Sequence, residues 1–129
     1  MIKIAAVFAI FLCGLFIDTP SSINLRASFY AAAKTENAAQ SLAKKVAGVR
    51  DHDKAILLCY KGASAMMEAK YKVNPIAKMT LFKKGKTYIE KAVYKDPKNM
   101  EIRFIRLAIQ ENLPSFLGYD EHIETDKQF

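Results

Sequence analysis

The chain has 129 residues, of which 51% are hydrophobic and 26% charged, so it fits one globular domain and is not a disordered chain. Five glycines, four prolines and no tryptophan leave long uninterrupted stretches of helix-forming residues, which favours an all-α fold over a sheet. The net charge of +7 is uneven: residues 61–98 hold ten lysines against three acidic residues, whereas residues 111–129 hold five acidic residues against one lysine. The acidic end can neutralise part of the basic middle, so the charge alone requires no anionic partner.

Residues 1–27 are predicted to be a signal peptide, with cleavage between residues 21 and 27. Lys3 precedes a fourteen-residue apolar run, 4–17, which is the charged start and short apolar middle of a secretory signal. At about 1.5 Å per residue the run spans about 21 Å, against a hydrocarbon core of about 30 Å, so a retained membrane anchor is the weaker alternative. Lipid attachment at Cys13 would need a small residue before it, and Leu12 stands there. Residues 28–129 are then a single helical domain in the periplasm or outside the cell.

Two helices are predicted in the first half of that domain. The first spans about 28–46, with Ser28 as its cap and a thin apolar stripe rich in alanine. The second spans about 55–73, and Asp51 and Asp53 are placed to cap it and to complement its dipole.

Asn74-Pro75 and Asp96-Pro97 predict the starts of a third and a fourth helix, because Pro fits the first helical turn and Asn or Asp caps it. The third helix has a predicted buried stripe with lysines on the opposite side: Ile76, Met79, Phe82, Ile89, Ala92 and Val93. The fourth ends near residue 112, and a fifth over about 115–127 is expected to bury Phe116, Leu117 and Ile123. The predicted fold is a compact bundle or a short right-handed array of about five helices.

Five residues at the end of the third helix and in the turn after it have spacings of three, four, three and five: Phe82, Gly85, Ile89, Ala92 and Pro97. This pattern resembles the second helix and exit turn of a tetratricopeptide repeat. The resemblance implies that small residues at Gly85 and Ala92 let the paired helix approach closely and that Pro97 turns the chain onward. It covers about half a repeat, because Arg106 stands where the pattern would continue with a small residue.

The chain from residue 28 onward also resembles a family of short exported proteins of Bacteroidetes to which no activity is assigned. The segments that carry this resemblance are Tyr60-Lys61-Gly62-Ala63, Asn74-Pro75, Phe82-Lys83-Lys84-Gly85-Lys86, Glu101-Ile102-Arg103-Phe104 and Asp126-Lys127. It implies export into a two-membrane envelope and brings no catalytic or binding residue with it.

The residue types of common catalytic and metal sites are scarce. His52 between Asp51 and Asp53 is better explained by helix capping than by metal binding, and His122 lies on an acidic, solvated face. Cys59 follows two leucines, which indicates a buried inert thiol rather than a nucleophile, and a single cysteine excludes a disulfide within the domain. We therefore predict no enzymatic activity, no cofactor and no metal site.

Three polar residues of the fourth helix are the main candidate binding site. Arg103, Arg106 and Gln110 lie three and four positions apart and so share a face. One interpretation is a salt-bridge network between helices, with Glu90 and Glu101 as possible partners, and we favour it. The other is recognition of a carboxylate or phosphate by a guanidinium fork.

Lys83 and Lys86, on the lysine-rich side of the third helix, form a second candidate surface for an acidic protein, anionic lipid or nucleic acid. Export argues against nucleic acid, and a solvated face is the simpler alternative. We predict an exported protein-interaction or structural module with an unknown protein partner in the envelope. Membrane contact is expected only through the signal peptide before cleavage. The alternative function is binding of a small anionic ligand or envelope lipid in a groove between helices.

Overall fold

The computed structural model describes residues 22–129, and that part of the chain is all-helical, with no strand. The elements in order are α1 Ser22–Ala32, α2 Glu36–Val46, α3 Ala55–Tyr71, α4 Pro75–Lys95, α5 Met100–Asn112, a 3₁₀ turn Ser115–Leu117 and α6 Ile123–Gln128. The predicted all-α fold is confirmed. Residues 1–21, which hold most of the predicted signal peptide, lie outside the described residues. Within 22–129, no helix combines the length and apolarity that a membrane span requires.

The helices pack as hairpins in chain order. α1 packs on α2, α3 on α4 and α5 on α6, and α3 also contacts α1, α2 and α5. In the described part of the chain, no Cα atom of α1 or α2 comes within 8 Å of one in α4, α5 or α6. By this measure α3 connects the first two helices to the later ones, and the side chain of Arg26 on α1 also contacts Glu101 of α5.

The prediction of one helix over 28–46 is wrong, because two helices occupy this region. α1 begins at Ser22, and Leu25 is fully buried in the core. The chain turns at residues 33–35, where Thr35 is extended and its hydroxyl oxygen accepts a hydrogen bond from the Ala38 N–H at 3.2 Å. This cap starts α2, and the turn folds it back onto α1. Residues 22–27, which fall inside the predicted signal peptide, belong to α1.

α3 and α4 touch through their backbones at two glycines. A Cβ atom built on Gly62 would lie 2.7 Å from the carbonyl oxygen of Gly85, and one built on Gly85 would lie 2.8 Å from the carbonyl oxygen of Gly62. Any side chain at either position would force the helices apart. The close approach expected at Gly85 is therefore present, and its counterpart is Gly62.

The capping predictions for α3 and α4 have different outcomes. At α4 the prediction is confirmed: the Asn74 side-chain oxygen accepts from the N–H groups of Ile76 and Ala77 at 2.8 and 3.2 Å. At α3 the prediction is wrong, since Lys54 is the cap residue and makes no side-chain cap bond. The Asp53 carboxylate instead accepts from the Arg50 N–H at 2.7 Å and closes the preceding loop.

Two segments predicted to lie in the core are buried only in part. The stripe of α4 is buried from Phe82 onward, but Ile76 and Met79, near the start of the helix, are exposed. The single helix over 115–127 is also wrong, because Gly118 adopts a left-handed conformation with φ of 65° and ends the 3₁₀ turn. Phe116 is exposed as a result, and Tyr119 fills the core in its place.

Candidate functional site

A buried cluster of charges joins α4, α5 and the C-terminal segment. Arg106 on α5 is only 2% exposed and forms a fork with Asp126 of α6. Its Nε donates to Oδ2 and its Nη2 donates to Oδ1, both at 2.7 Å. The third nitrogen, Nη1, donates to the Glu90 carboxylate at 3.1 and 3.2 Å. One guanidinium therefore ties α6 and α4 to α5.

Two further residues complete what we call the arginine network: Glu90, Arg103, Arg106, Tyr119 and Asp126. Arg103 Nη1 donates to Asp126 Oδ1 at 3.0 Å, and its Nε donates to the Pro97 carbonyl at 3.0 Å. The Tyr119 hydroxyl donates to Glu90 Oε1 at 2.6 Å. Two guanidinium groups face two carboxylates, so the network is neutral as a whole.

The protonation states follow from this arrangement. Burial by itself would raise the pKa of Asp126, but hydrogen bonds and charges from Arg106 and Arg103 outweigh it and lower that pKa. Burial works against the charge of Arg106, yet Asp126 and Glu90 raise its pKa. Burial and the bond to Glu90 raise the pKa of Tyr119, which therefore remains a donor. Asp126 is therefore held ionised, and Arg106 and Tyr119 are held protonated.

Of the predicted trio on α5, Arg103 and Arg106 are brought together at Asp126, and Arg106 and Gln110 are buried. Gln110 is 2% exposed like Arg106, and both polar atoms of its amide lack a hydrogen-bond partner among the described residues. The geometry is that of the salt-bridge network, and Glu90 was the right partner. Glu101 was not, since it accepts from the Tyr60 hydroxyl and from Arg26 Nε. A ligand could reach Arg106 only if α6 moved away.

Lys83 and Lys86, the other predicted binding residues, have separate surroundings. Lys86 Nζ lies 4.9 Å above the ring of Tyr119 and 4.0 Å from Glu121 Oε1, so this lysine belongs to the contact between α4 and the acidic end. Lys83 is exposed, and its side-chain amine forms no hydrogen bond or ion pair within residues 22–129. Of the two, Lys83 is the one whose charge is open to a partner.

An open cleft of about 560 Å³ lies between α4 and the loop before α3, where a small anion would be sought. Its cations are already engaged. Lys91 Nζ binds the Asp51 carboxylate at 3.0 Å, and Lys95 Nζ binds the carbonyl oxygens of Asp51 and Asp53. This groove therefore offers little free positive charge to an anionic ligand.

The cysteine and the two histidines have separate surroundings. Cys59 is fully buried, and burial raises the pKa of its thiol. His52 is exposed, and His122 lies near Glu90 and Glu121 at 3.8 and 3.6 Å. The residues from 22 to 129 contain no group of three potential ligands that could hold a metal ion.

The outward side of α5 is a surface that the sequence analysis missed. Ile102, Ile105 and Ile109 face the core, while Met100 and Phe104 point away and are 70% and 53% exposed. We call these two residues the docking face. A signal was present in the sequence, because Met100 and Phe104 form an apolar pair four positions apart on the side opposite the isoleucines.

No family model, curated protein or solved structure is recognisably similar to this chain. The arguments about function therefore rest on the geometry of the described residues. Asp126 and Tyr119, which complete the arginine network, were not predicted, and no local pattern distinguishes them. Asp126 sits among other acidic residues of the C-terminal segment, and its burial depends on how α6 packs on α5.

Proposed function

We propose that this chain is an exported helical protein-interaction module that binds an amphipathic helix of an envelope protein on the docking face. The observation that carries the proposal is the exposure of Met100 and Phe104 on α5. An aromatic and a flexible apolar side chain, adjacent on one helix face, are typical anchors for a partner helix.

The order of packing supports this choice of surface. The α3–α4 hairpin packs on the α1–α2 hairpin, and α5 packs on α3 and α4. Met100 and Phe104 lie on a largely exposed side of α5, which leaves room for a further helix to be added. Residues 82–97 resemble part of a tetratricopeptide repeat. Repeats of that kind stack one on the next and bind partners on their helices.

The arginine network supports the proposal indirectly, because it ties α5 to neighbouring helices on the side opposite the docking face. Arg106 binds α6 and α4, and Glu101 at the start of α5 is hydrogen-bonded to Tyr60 of α3. A helix fixed on several sides loses little conformational freedom when a partner binds. In this view Arg103, Arg106 and Gln110 position the surface rather than touch the partner.

Site-specific crosslinking tests the proposal. A photo-crosslinking residue is placed at Phe104 and, as a matched control, at Tyr94, an exposed aromatic residue of α4. In cells of the native host we expect a defined protein adduct from position 104 and none from position 94. The partner identified in this way should lose binding to F104D while that variant keeps the wild-type melting temperature.

Two results would overturn the proposal. One is equal crosslinking from positions 104 and 94, which would mean that the adducts reflect exposure alone. The other is unchanged affinity of the identified partner for F104D. Recovery of the crosslinked protein from the cytoplasm rather than the envelope would contradict the export part of the proposal.

A further inference from the structure

The end of the α3–α4 hairpin exposes apolar side chains. We define the hairpin tip as residues 70–84, which comprise the end of α3, the connection and the first turns of α4. Val73, Ile76 and Met79 are 95%, 78% and 40% exposed there. The neighbouring residues of α4 are also exposed around most of the helix, so the tip protrudes rather than forming a groove. Three apolar side chains on a protruding end are not explained by packing within residues 22–129.

The same segment carries free positive charge. Residues 70–84 contain five lysines, and no acidic residue occurs between Glu68 and Glu90. The Lys70 amine donates to the Ala33 carbonyl. Four other lysines are exposed, and their side-chain amines form no hydrogen bond or ion pair with the described residues: Lys72, Lys78, Lys83 and Lys84. At the C-terminal end of α4, by contrast, the amines of Lys91 and Lys95 are bound by the loop before α3.

We propose that the hairpin tip binds the surface of an anionic membrane, with Val73, Ile76 and Met79 entering the headgroup region and the free lysines contacting lipid phosphates. Apolar side chains flanked by lysines are the combination that interfacial segments use, since the long lysine stems let the amines remain among the headgroups. A fluid interface also accommodates a protruding shape that offers a rigid partner no pocket to fill.

Other anionic partners fit the tip less well. Single-stranded nucleic acid is bound through aromatic side chains that stack on bases. Of the two aromatic residues of the tip, Tyr71 donates its hydroxyl to the Ala32 carbonyl at 2.9 Å, and Phe82 is buried. An acidic protein would satisfy the lysines but would leave the exposed apolar residues without a complementary surface.

This inference is independent of the proposed function, because the hairpin tip and the docking face share no residue. It goes beyond the expectation that the chain meets a membrane only through its signal peptide.

Binding to vesicles tests the proposal with the full chain. Vesicles of phosphatidylcholine alone are compared with vesicles that also contain phosphatidylglycerol. We expect binding to the anionic vesicles, and a triple variant of the tip, K78Q/K83Q/K84Q, should bind about tenfold more weakly or worse. The matched control removes three exposed lysines elsewhere, K44Q/K54Q/K98Q, and should bind like the wild type. All variants share residues 1–21, so any contribution of that segment is common to the comparison.

Fluorescence tests the insertion separately. Since the chain has no tryptophan, I76W and the control Y94W each introduce a single emitter at an exposed site. We expect a blue shift of I76W emission with anionic vesicles and none for Y94W.

The proposal is overturned if the tip triple variant binds anionic vesicles as tightly as the control triple variant, or if I76W emission does not shift. It is also overturned if the tip variant loses affinity for polyglutamate or for an oligonucleotide while its vesicle binding is unchanged. Circular dichroism melting of each variant shows that it is folded before its binding is interpreted.

Discussion

The arginine network and the hairpin tip both concentrate charge, but they do so in opposite states of hydration. In the network every charge is buried or half-buried and meets a counter-charge in a fixed geometry, such as the fork between Arg106 and Asp126. At the tip, Lys78, Lys83 and Lys84 are exposed and meet no counter-charge in the described part of the chain. The comparison teaches that the density of charge along the sequence does not identify a binding surface.

What distinguishes the two regions is the cost of desolvation. Charges taken out of water are stable only when their partners compensate the lost hydration, so a buried network has little capacity left for a ligand. Exposed cations have lost no hydration and can exchange water for an anionic surface. The network is therefore expected to control stability, and the tip is expected to control binding.

The largest expected effect is the loss of stability when Arg106 is truncated. R106A leaves Asp126 buried with Arg103 as its remaining cation, and it removes the cation that Glu90 binds. Removing one member of a buried ion pair costs about 3–5 kcal/mol, and we expect the lower end because Glu90 is partly exposed. Urea unfolding followed by circular dichroism measures the change.

The matched control for this prediction is R26A. Arg26 also pairs with a carboxylate, that of Glu101 at 3.1 Å, but its side chain is about half exposed. A surface pair of this kind contributes roughly 0–1 kcal/mol. If R106A and R26A cost the same, the network does not have the role that its burial implies.

A substitution at the glycine contact is expected to have the next largest effect. This contact lies in the hairpin that carries both Glu90 and the tip. In G85A the new methyl group would lie 2.8 Å from the Gly62 carbonyl oxygen and 2.9 Å from Met66 Cγ, so α3 and α4 must separate. We expect a loss of about 1–3 kcal/mol in the free energy of unfolding. The control is G48A, where the added methyl group has open space, and its unfolding free energy should change by less than about 1 kcal/mol.

Acid should weaken the network through Asp126. The pKa of this carboxyl is lower in the folded protein than its ordinary value of 3.8, so the folded state binds the proton more weakly than the unfolded chain does. The contribution of Asp126 is present above about pH 5 and is lost as the pH falls through 3.8 towards the folded pKa. Urea midpoints measured from neutral to acidic pH should therefore fall more steeply for the wild type than for D126N. Equal slopes would show that Asp126 is not stabilised as its contacts indicate.

The sequence predicted the class of fold and the start of α4. The start predicted at Asp96-Pro97 was wrong, because α5 begins at Met100 with Asn99 as its cap. Asn74-Pro75 was sufficient to place the start of α4, because the cap bonds involve residues two and three positions away. The break at Thr35 has a similar local signal and was missed because the alanine-rich pattern continues through it. The exposure of Ile76 could not be predicted. Helical periodicity shows which face of α4 is apolar but not whether another helix packs against the start of that face.

The candidate site was predicted only in part, because only some of its contacts depend on local sequence patterns. The shared face of Arg103 and Arg106 follows from helical spacing, and Glu90 was a candidate partner because it lies on the preceding helix. Asp126 is twenty residues from Arg106 in the sequence. The contact between their side chains depends on the turn at Gly118 and on the burial of Tyr119 in the core. Contacts of that range follow from tertiary packing, which periodicity does not encode.

The smallest expected effect on stability is that of the tip lysines, and it completes the comparison. K78Q/K83Q/K84Q removes three charges, more than R106A does, yet the free energy of unfolding should change by no more than about 0.5 kcal/mol per site. Any change should be towards greater stability, because the substitutions relieve repulsion among like charges in a segment without acidic residues. Urea unfolding at low salt measures this best, since salt screens the repulsion. A loss as large as that of R106A would show that the tip lysines are part of the folded structure's own ion pairs, and the contrast between the two regions would then fail.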